Sequence, residues 1–342
     1  MIRYNVGLVG YGWVASAHIP AINASTQARV TGLYSSRPHD EKELAARHGH
    51  PIRTYATYAD MLADPDIHVI SICSFAGLHA EQAIAAAHAG KHVILEKPIA
   101  LNWIDCLRIG AAFEENNTKA CVCFNGRFSG QFTTIKAVID QCLLGDLHYA
   151  EVDYYHGIGP WYGQFEWNAK ANGGGSALLT AGCHAVDAML LCMGGDVASV
   201  TSMSTRSRSP IFAPYEYDTS SVTLVKFRDG RVAKCSAIVD CLQPYYFHTH
   251  LCGSEGSLLD NQFHSMKLHT DKSRWSNLAM TMIGSGDVHD HPFQRQFQAF
   301  FDALDRGQHM PLTDFATALH THRIVFAADE SARTGMPVAT ER

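Results

Sequence analysis

The 342-residue chain contains no block of lysines and arginines, and its formal net charge is −6. Without a basic footprint, neither nucleic acid nor a membrane surface is an expected partner. No uninterrupted apolar run reaches the roughly 18 residues of a membrane-spanning helix. Residues 1–9 lack the charged start and long apolar core of a signal peptide. Cysteine is too sparse for a disulfide framework: there are ten, Cys121 and Cys123 form the only close pair, and no zinc-ribbon spacing occurs. A cytoplasmic protein with reduced thiols is therefore expected.

Histidine is plentiful, with 20 in the chain, and its tightest cluster is His289-Asp290-His291-Pro292, with His320 and His322 further on. Metal sites usually show i, i+4 helical pairs or Cys/His doublets. Here the proline reads as a loop entering a helix, and no metal is expected. Hydrophobic residues at 46% and charged residues at 18% give an ordinary globular balance, and the length favours two domains.

Residues 5–9 form a strand-like run, followed by Gly10-Tyr11-Gly12-Trp13-Val14-Ala15 and an Ala-rich helical stretch. This is the Gly-x-Gly-x-x-Gly/Ala fingerprint in its required context. Gly10 permits the tight turn, and Gly12 lets a pyrophosphate approach the backbone. Ala15 allows close helix–strand packing. Trp13 and Val14 lie where the helix opens and its free N–H groups face the phosphates. Strand-like and helical segments then alternate: 30–34, 41–48, 58–62, 69–73, 78–89, 93–95, 103–116 and 120–124. Such a βα rhythm predicts a doubly wound parallel sheet over residues 1–124. At the end of the second strand an acidic residue would accept the ribose 2′-hydroxyl of NAD. The chain offers Ser35-Ser36-Arg37-Pro38 instead, and Ser36 with Arg37 suits a 2′-phosphate. NADP is thus favoured over NAD, the alternative being a solvated turn in which Arg37 stacks on adenine.

At the end of a later strand stands Glu96-Lys97-Pro98, a lysine beside a proline where ligands bind in open α/β sheets. The fingerprint, Leu78-His79-Ala80-Glu81, Gly90-Lys91-His92-Val93 and Glu96-Lys97-Pro98 resemble the glucose-fructose oxidoreductase / inositol dehydrogenase (Gfo/Idh/MocA) family. The likeness continues through Phe124-Asn125-x-Arg127-Phe128, Trp167, Gly173-Gly174-Gly175 and Gly182-Cys183-His184-Ala185-Val186-Asp187. It implies a Rossmann domain followed by an α/β domain with a large, open, mainly antiparallel sheet, here residues 125–342. Independent support comes from β-rich runs at 149–155, 199–205, 221–227, 233–239 and 247–251. A helix over 181–192 can cover one face of that sheet. A partner subunit is expected on the other, giving a homodimer or homotetramer.

The resemblance implies reversible hydride transfer between nicotinamide and a secondary hydroxyl of a sugar, glycoside or cyclitol. In the family pattern a lysine, an aspartate and a histidine converge on that hydroxyl. They correspond to Lys97, Thr180 and His184, so the aspartate is missing. Thr180 and His184, four apart, are expected on one helix face, with Asp187 able to orient the imidazole. Only ~0.04% of an unperturbed lysine is neutral at pH 7, whereas histidine is largely neutral. His184 is accordingly the expected proton acceptor and Lys97 the donor to the substrate oxygen.

Ser74 and His79 flank a loop expected beside the cofactor. Glu96 contacts a cofactor hydroxyl or holds Lys97, and Arg127 reaches cofactor or substrate or forms an interdomain salt bridge. The aromatic segment 154–167, with Tyr155, Trp161 and Trp167, reads as a loop over a sugar-like substrate, a subunit contact being the alternative. Phe297, Phe300, Phe301 and Leu304 recur at helical spacing and read as core. Two other functions compete: a lyase or glycosidase that retains its cofactor and oxidises transiently, and a non-catalytic dinucleotide-binding sensor.

Overall fold

A computed structural model describes residues 2–284 and 286–340; the side chain of His289, part of the histidine cluster noted above, lies outside the described residues. The chain folds as two compact units, Met1–Asn125 with His291–Leu319, and Gly126–Asp290 with His320–Arg342.

In the first unit, strands β1 (Tyr4–Val9), β2 (Ala28–Tyr34), β3 (Arg53–Thr54), β4 (Val69–Ile72), β5 (His92–Leu95) and β6 (Ala120–Val122) pair in parallel, in the order β3-β2-β1-β4-β5-β6. This is the doubly wound topology, with a switch point between β1 and β4. Val69–Ile72 is buried throughout, as expected of a strand covered on both faces. The connecting helices are α1 (Ala15–Asn23), α2 (Glu41–His48), α3 (Tyr58–Ala63), α4 (His79–His88) and α5 (Trp103–Glu115). Asp40 caps α2, Thr57 caps α3 and Asn102 caps α5 through side-chain oxygens.

Residues 291–319 complete this unit. Phe297, Phe300 and Phe301 of α9 (Phe293–Asp305) are fully buried, and the Phe301 ring stacks on Tyr4 at 5.8 Å. The sheet edge at β6 is closed by the same segment. Val122 donates its N–H to the Thr313 carbonyl at 2.9 Å, and Gln296 Nε2 donates to the Val122 carbonyl at 2.8 Å.

The second unit carries α6 (Gly130–Asp140), a single-turn α7 (Phe165–Asn168) and α8 (Cys183–Met193). Helix α10 (Phe315–Thr334) gives its residues up to Leu319 to the first unit and the remainder to the second. Nine strands form one sheet: β7 (Leu147–Tyr155), β8 (Val197–Thr205), β9 (Ser220–Phe227), β10 (Val232–Ile238), β11 (Tyr246–Gly253), β12 (Gly256–Leu259), β13 (Gln262–Ser265), β14 (Ser276–Asn277) and β15 (Val338–Ala339). Their order is β14-β13-β12-β11-β7-β10-β9-β8-β15, and only β7 and β10 pair in parallel. Both sheets therefore have the expected character.

Several elements carry no clear signal in the sequence. Helix α6 opens at Ser129, whose hydroxyl accepts the Phe132 N–H at 3.1 Å, and the short strands β3 and β12 to β15 are too brief to show alternation. The helix expected over 181–192 instead begins with a π-helical turn, Leu178–Gly182, before α8. Gly182 permits this wider turn to approach β10, since a Cβ there would lie 2.3 Å from Ala237 Cβ.

Candidate functional site

In the first unit the fingerprint glycines sit at the switch point. Gly10 has φ +87°, and a Cβ there would stand 2.9 Å from the Cys73 carbonyl oxygen that follows β4. A side chain is thus excluded both by backbone conformation and by the neighbouring strand. Gly12 faces open space, and α1 has neither a side-chain cap nor an acidic residue in its first turn. Helix N-termini of this kind hold phosphates by their N–H groups and dipole. Trp13 is partly exposed beside Gly12, and Val14 is the last residue before α1.

Ser36 and Arg37 are both exposed beyond β2. The next acidic residue, Asp40, already accepts the N–H groups of Lys42 and Glu43 at 2.8 and 3.0 Å. No carboxylate in 35–39 can take a ribose hydroxyl. Nearby, the Tyr11 hydroxyl lies 2.8 Å from His48 Nε2, and its ring meets His39 edge-on at 4.7 Å. A dinucleotide fits this cradle: a positive-φ glycine, an open glycine, an uncapped helix and a hydroxyl–guanidinium pair.

Lys97 is half-buried just beyond β5, and its peptide bond to Pro98 is cis. Two buried histidines flank the turn. His79 Nδ1 lies 2.8 Å from the Pro98 carbonyl and Nε2 lies 3.1 Å from the Ser74 carbonyl. Burial lowers the pKa of His79, and a neutral ring donates only one proton, so the shorter contact to Pro98 is its donor bond. His79 thereby braces the Pro98 loop from a buried position. Ser74 Oγ is engaged with Gln82 Oε1 at 2.5 Å.

Of the second brace the sequence offered only Glu96 as a holder of Lys97, and not its partner His18. Glu96 is buried, its Oε2 accepting the Lys97 N–H at 3.1 Å and its Oε1 lying 2.9 Å from His18 Nε2. His18, on α1, is fully buried, with Nδ1 2.9 Å from Ser71 Oγ and 3.3 Å from Cys73 Sγ. Phe293 and Phe297 pack on its ring at 4.8 Å each. Burial opposes a charge on His18, but Cys73 and Glu96 outweigh it and push the pKa up to about 10. Glu96 is held below its ordinary value, because His18 and Lys97 overcome the cost of burial. Only the burial of a histidine in α1 hinted at this, and a sequence does not display it.

In the second unit, Ser176 Oγ accepts the Leu179 N–H at 2.9 Å and donates to Asp329 at 2.7 Å, opening the turn that carries Thr180. Thr180 is buried within the π-helical turn and His184 is half-buried on α8. The i, i+4 rule for an α-helix face does not hold across that wider turn. His184 stacks on Tyr154 at 5.7 Å, and Tyr154 meets Tyr245 and Phe247 edge-on. Tyr155 was expected beside the substrate, but alternation along β7 sends it to the opposite face, where it stacks on Tyr246 at 5.9 Å. Tyr154 holds the position beside His184 instead.

Asp187, which the spacing offered to the His184 imidazole, is held by Arg127 and Thr321. Its carboxylate accepts Arg127 Nε at 2.7 Å, Arg127 Nη2 at 2.8 Å and the Thr321 hydroxyl at 2.9 Å. Arg127 is thereby engaged in a buried, bidentate pair within this unit, a salt bridge but not the interdomain one expected from the sequence. Trp161 is exposed, with Nε1 donating to the Gly157 carbonyl at 2.8 Å, and Trp167 is half-buried in α7.

Among the described residues, two groups have metal-ligand spacing: His18, Glu96 and Cys123, and Glu151, His248 and His250. Neither includes His291, His320 or His322. In the first, Glu96 is engaged by His18 and the Lys97 N–H; in the second, the Lys234 ammonium binds Glu151. Among the described residues, no helix is long and apolar enough to cross a membrane.

A family model described as "Oxidoreductase family, NAD-binding Rossmann fold" matches residues 4–124, and one described as "GFO/IDH/MocA C-terminal domain" matches residues 132–259. The uncharacterized oxidoreductase YrbE of Bacillus subtilis (strain 168) is 24% identical over 336 residues, covering 98% of this chain and 96% of its own. Levoglucosan dehydrogenase of Pseudarthrobacter phenanthrenivorans is 27% identical over 301 residues, covering 76% of this chain and 74% of its own. The structure of a levoglucosan dehydrogenase in complex with NADH and levoglucosan is similar with a TM-score of 0.86 at 23% identity, covering 99% of this chain and 100% of that one. At that identity the likeness is one of fold.

The His18–Glu96 bridge has a pH signature. His18 is raised from 6.5 to about 10, so its contribution is full below pH 6.5 and is lost as pH rises through 10. Glu96 is lowered from 4.5, so its contribution is present above that pH and is lost as pH falls through the depressed value. The bridge should therefore stabilise most between pH 4.5 and 6.5. The gap in Tm between the native chain and His18→Gln, followed by circular dichroism, is expected to narrow from pH 6.5 to 10. A gap that widens over this range contradicts a charged His18.

Proposed function

The chain belongs to the GFO/IDH/MocA oxidoreductase family, and from that premise we propose that it transfers hydride between a nicotinamide and a secondary hydroxyl of a sugar, glycoside or cyclitol. The observation that carries this reading is the half-buried Lys97, fixed at the C-terminal end of β5 in the sheet whose switch point bears the glycine turn. Gly10, Gly12 and the N-terminus of α1, with Trp13 and Val14, hold the pyrophosphate. Ser36 and Arg37 take the ribose end, and the lack of a carboxylate there favours NADP over NAD. When bound, the nicotinamide ring supplies the hydride acceptor or donor.

The protein's own task is the proton. His184 accepts it from the substrate hydroxyl, an imidazole being the side chain suited to proton transfer near neutral pH. Lys97 donates a hydrogen bond to the same oxygen and stabilises the developing alkoxide. Thr180, standing where the family pattern has an aspartate, hydrogen-bonds the substrate and takes no proton. Tyr154 supports the His184 ring from behind, while Trp161 and Trp167 offer flat faces to a sugar-like ring. Levoglucosan as a relative's substrate supports a sugar-like ligand.

The second sheet supports a homodimer or homotetramer. Met203, Val222 and Leu224 are exposed on the paired strands β8 and β9, and Tyr246 is exposed on β11 further along the same sheet. An exposed patch of this kind is a contact surface or an aggregation liability.

Four outcomes are expected. Lys97→Ala lowers kcat on the order of 10²- to 10⁴-fold while cofactor affinity changes little, and His184→Ala removes the limb near the histidine pKa from the pH–rate profile of oxidation. These are read from NADPH formation with a panel of sugars, glycosides and inositols; elimination products without net NADPH formation would instead favour the cofactor-retaining lyase. Arg37→Ala weakens NADPH binding and spares NADH, measured by nucleotide fluorescence. Leu224→Asp shifts the assembly towards monomers in size-exclusion chromatography with light scattering; an unchanged mass rejects the sheet face as interface.

A further inference from the structure

The buried histidine of α1 is not used by the proton chemistry above, yet it reaches the lysine turn through one intermediary. His18 Nε2 lies 2.9 Å from Glu96 Oε1, and Glu96 Oε2 accepts the Lys97 N–H at 3.1 Å. Each member is buried: His18 fully, Glu96 at 8% exposed. The far side of the imidazole is fixed as well, by Ser71 Oγ at 2.9 Å, and Phe293 and Phe297 leave the ring no room to turn. A glutamate at this depth that lacked a partner would be expensive to keep ionised.

We propose that His18 is a positioning residue: it holds the Glu96 carboxylate in the one orientation that fixes the Lys97 peptide, and so sets where the lysine side chain leaves the end of β5. This rests on the reading of Lys97 as the donor to the substrate oxygen. The charge on His18 described above makes the Glu96 bond a charge-assisted one, which is stronger and more directional than a neutral pair. The brace also links two structural parts of the dinucleotide half. His18 lies in the helix that opens at the glycine turn, and Glu96 follows the strand that ends at the lysine. A shift of α1 is therefore transmitted to Lys97 through a single hydrogen-bonded relay.

The test combines exchange and kinetics. In His18→Gln, amide hydrogen exchange followed by mass spectrometry should rise in a peptide spanning residues 95–99, whose Lys97 N–H loses its fixed acceptor, while peptides from β1 and β2 remain protected. NADPH affinity should stay within about threefold, while kcat falls on the order of 10- to 100-fold with little change in KM, the cost of a misplaced reacting group. In the Lys97→Ala background His18→Gln should cost almost nothing further, because the two act as one unit. Glu96→Gln, which keeps the size and removes the charge, is measured beside it and should follow the same pattern even if His18→Gln does not fold. Unchanged exchange at 95–99, or losses in kcat that multiply between the His18 and Lys97 variants, overturns the proposal. Unimpaired turnover in Lys97→Ala removes the reading of Lys97 itself; the exchange arm then still decides whether His18 holds that turn.

Discussion

Burying a charged pair in a small α/β sheet is unfavourable unless each atom finds a partner, and the first unit is organised around meeting that condition. The His18–Glu96 bridge draws on α1, β4 and the turn after β5, with Ser71 and Cys73 on one side of the imidazole and the Lys97 N–H on the other side of the carboxylate. Desolvation can cancel the Coulombic gain of such a pair. Its value then lies in geometry, because two hydrogen-bonded charges tolerate little displacement. A second brace acts at the buried His79, which donates to the Pro98 carbonyl. A lysine between two such braces has its backbone set before any ligand arrives.

The second unit solves a comparable problem differently. Thr180 and His184 lie where a π-helical turn passes into α8, and Gly182 lets that turn press on β10. Asp187, one turn further, joins Arg127 ahead of α6 to Thr321 on α10. A bidentate buried pair resists rotation of α8 about its own axis, so the orientation of His184 depends on a contact made by Asp187 three residues along the same helix. The Tyr154 ring completes the support by stacking.

Much of this was legible in the chain because period and punctuation are local. The strand–glycine–helix order, the alternation of βα segments and the absence of an acid after β2 are all read within a few neighbouring residues, and the parallel sheet follows from them. What escaped depends on pairings distant in sequence. Arg127 and Asp187 are 60 positions apart and His18 and Glu96 are 78, so no spacing rule brings them together. The face of β7 that carries Tyr155 was hidden for another reason: strand parity is fixed only when the buried face is known, and the aromatic run offered candidates of both parities. The π-helical turn was invisible because its cause, a close strand, lies more than fifty residues later in the chain.

The first unit is discontinuous, made of Met1–Asn125 and His291–Leu319. During synthesis its opening segment emerges long before Phe293 and Phe297, which pack on His18, and before Thr313, which closes the edge of β6. Until then an apolar helix face and an unpaired strand edge stay uncovered, the features that make nascent chains prone to misassociation. The dinucleotide half thus cannot mature on the ribosome ahead of the other. Release of most of the chain is the step that completes it, and truncation anywhere before residue 319 would leave the sheet with an open seam.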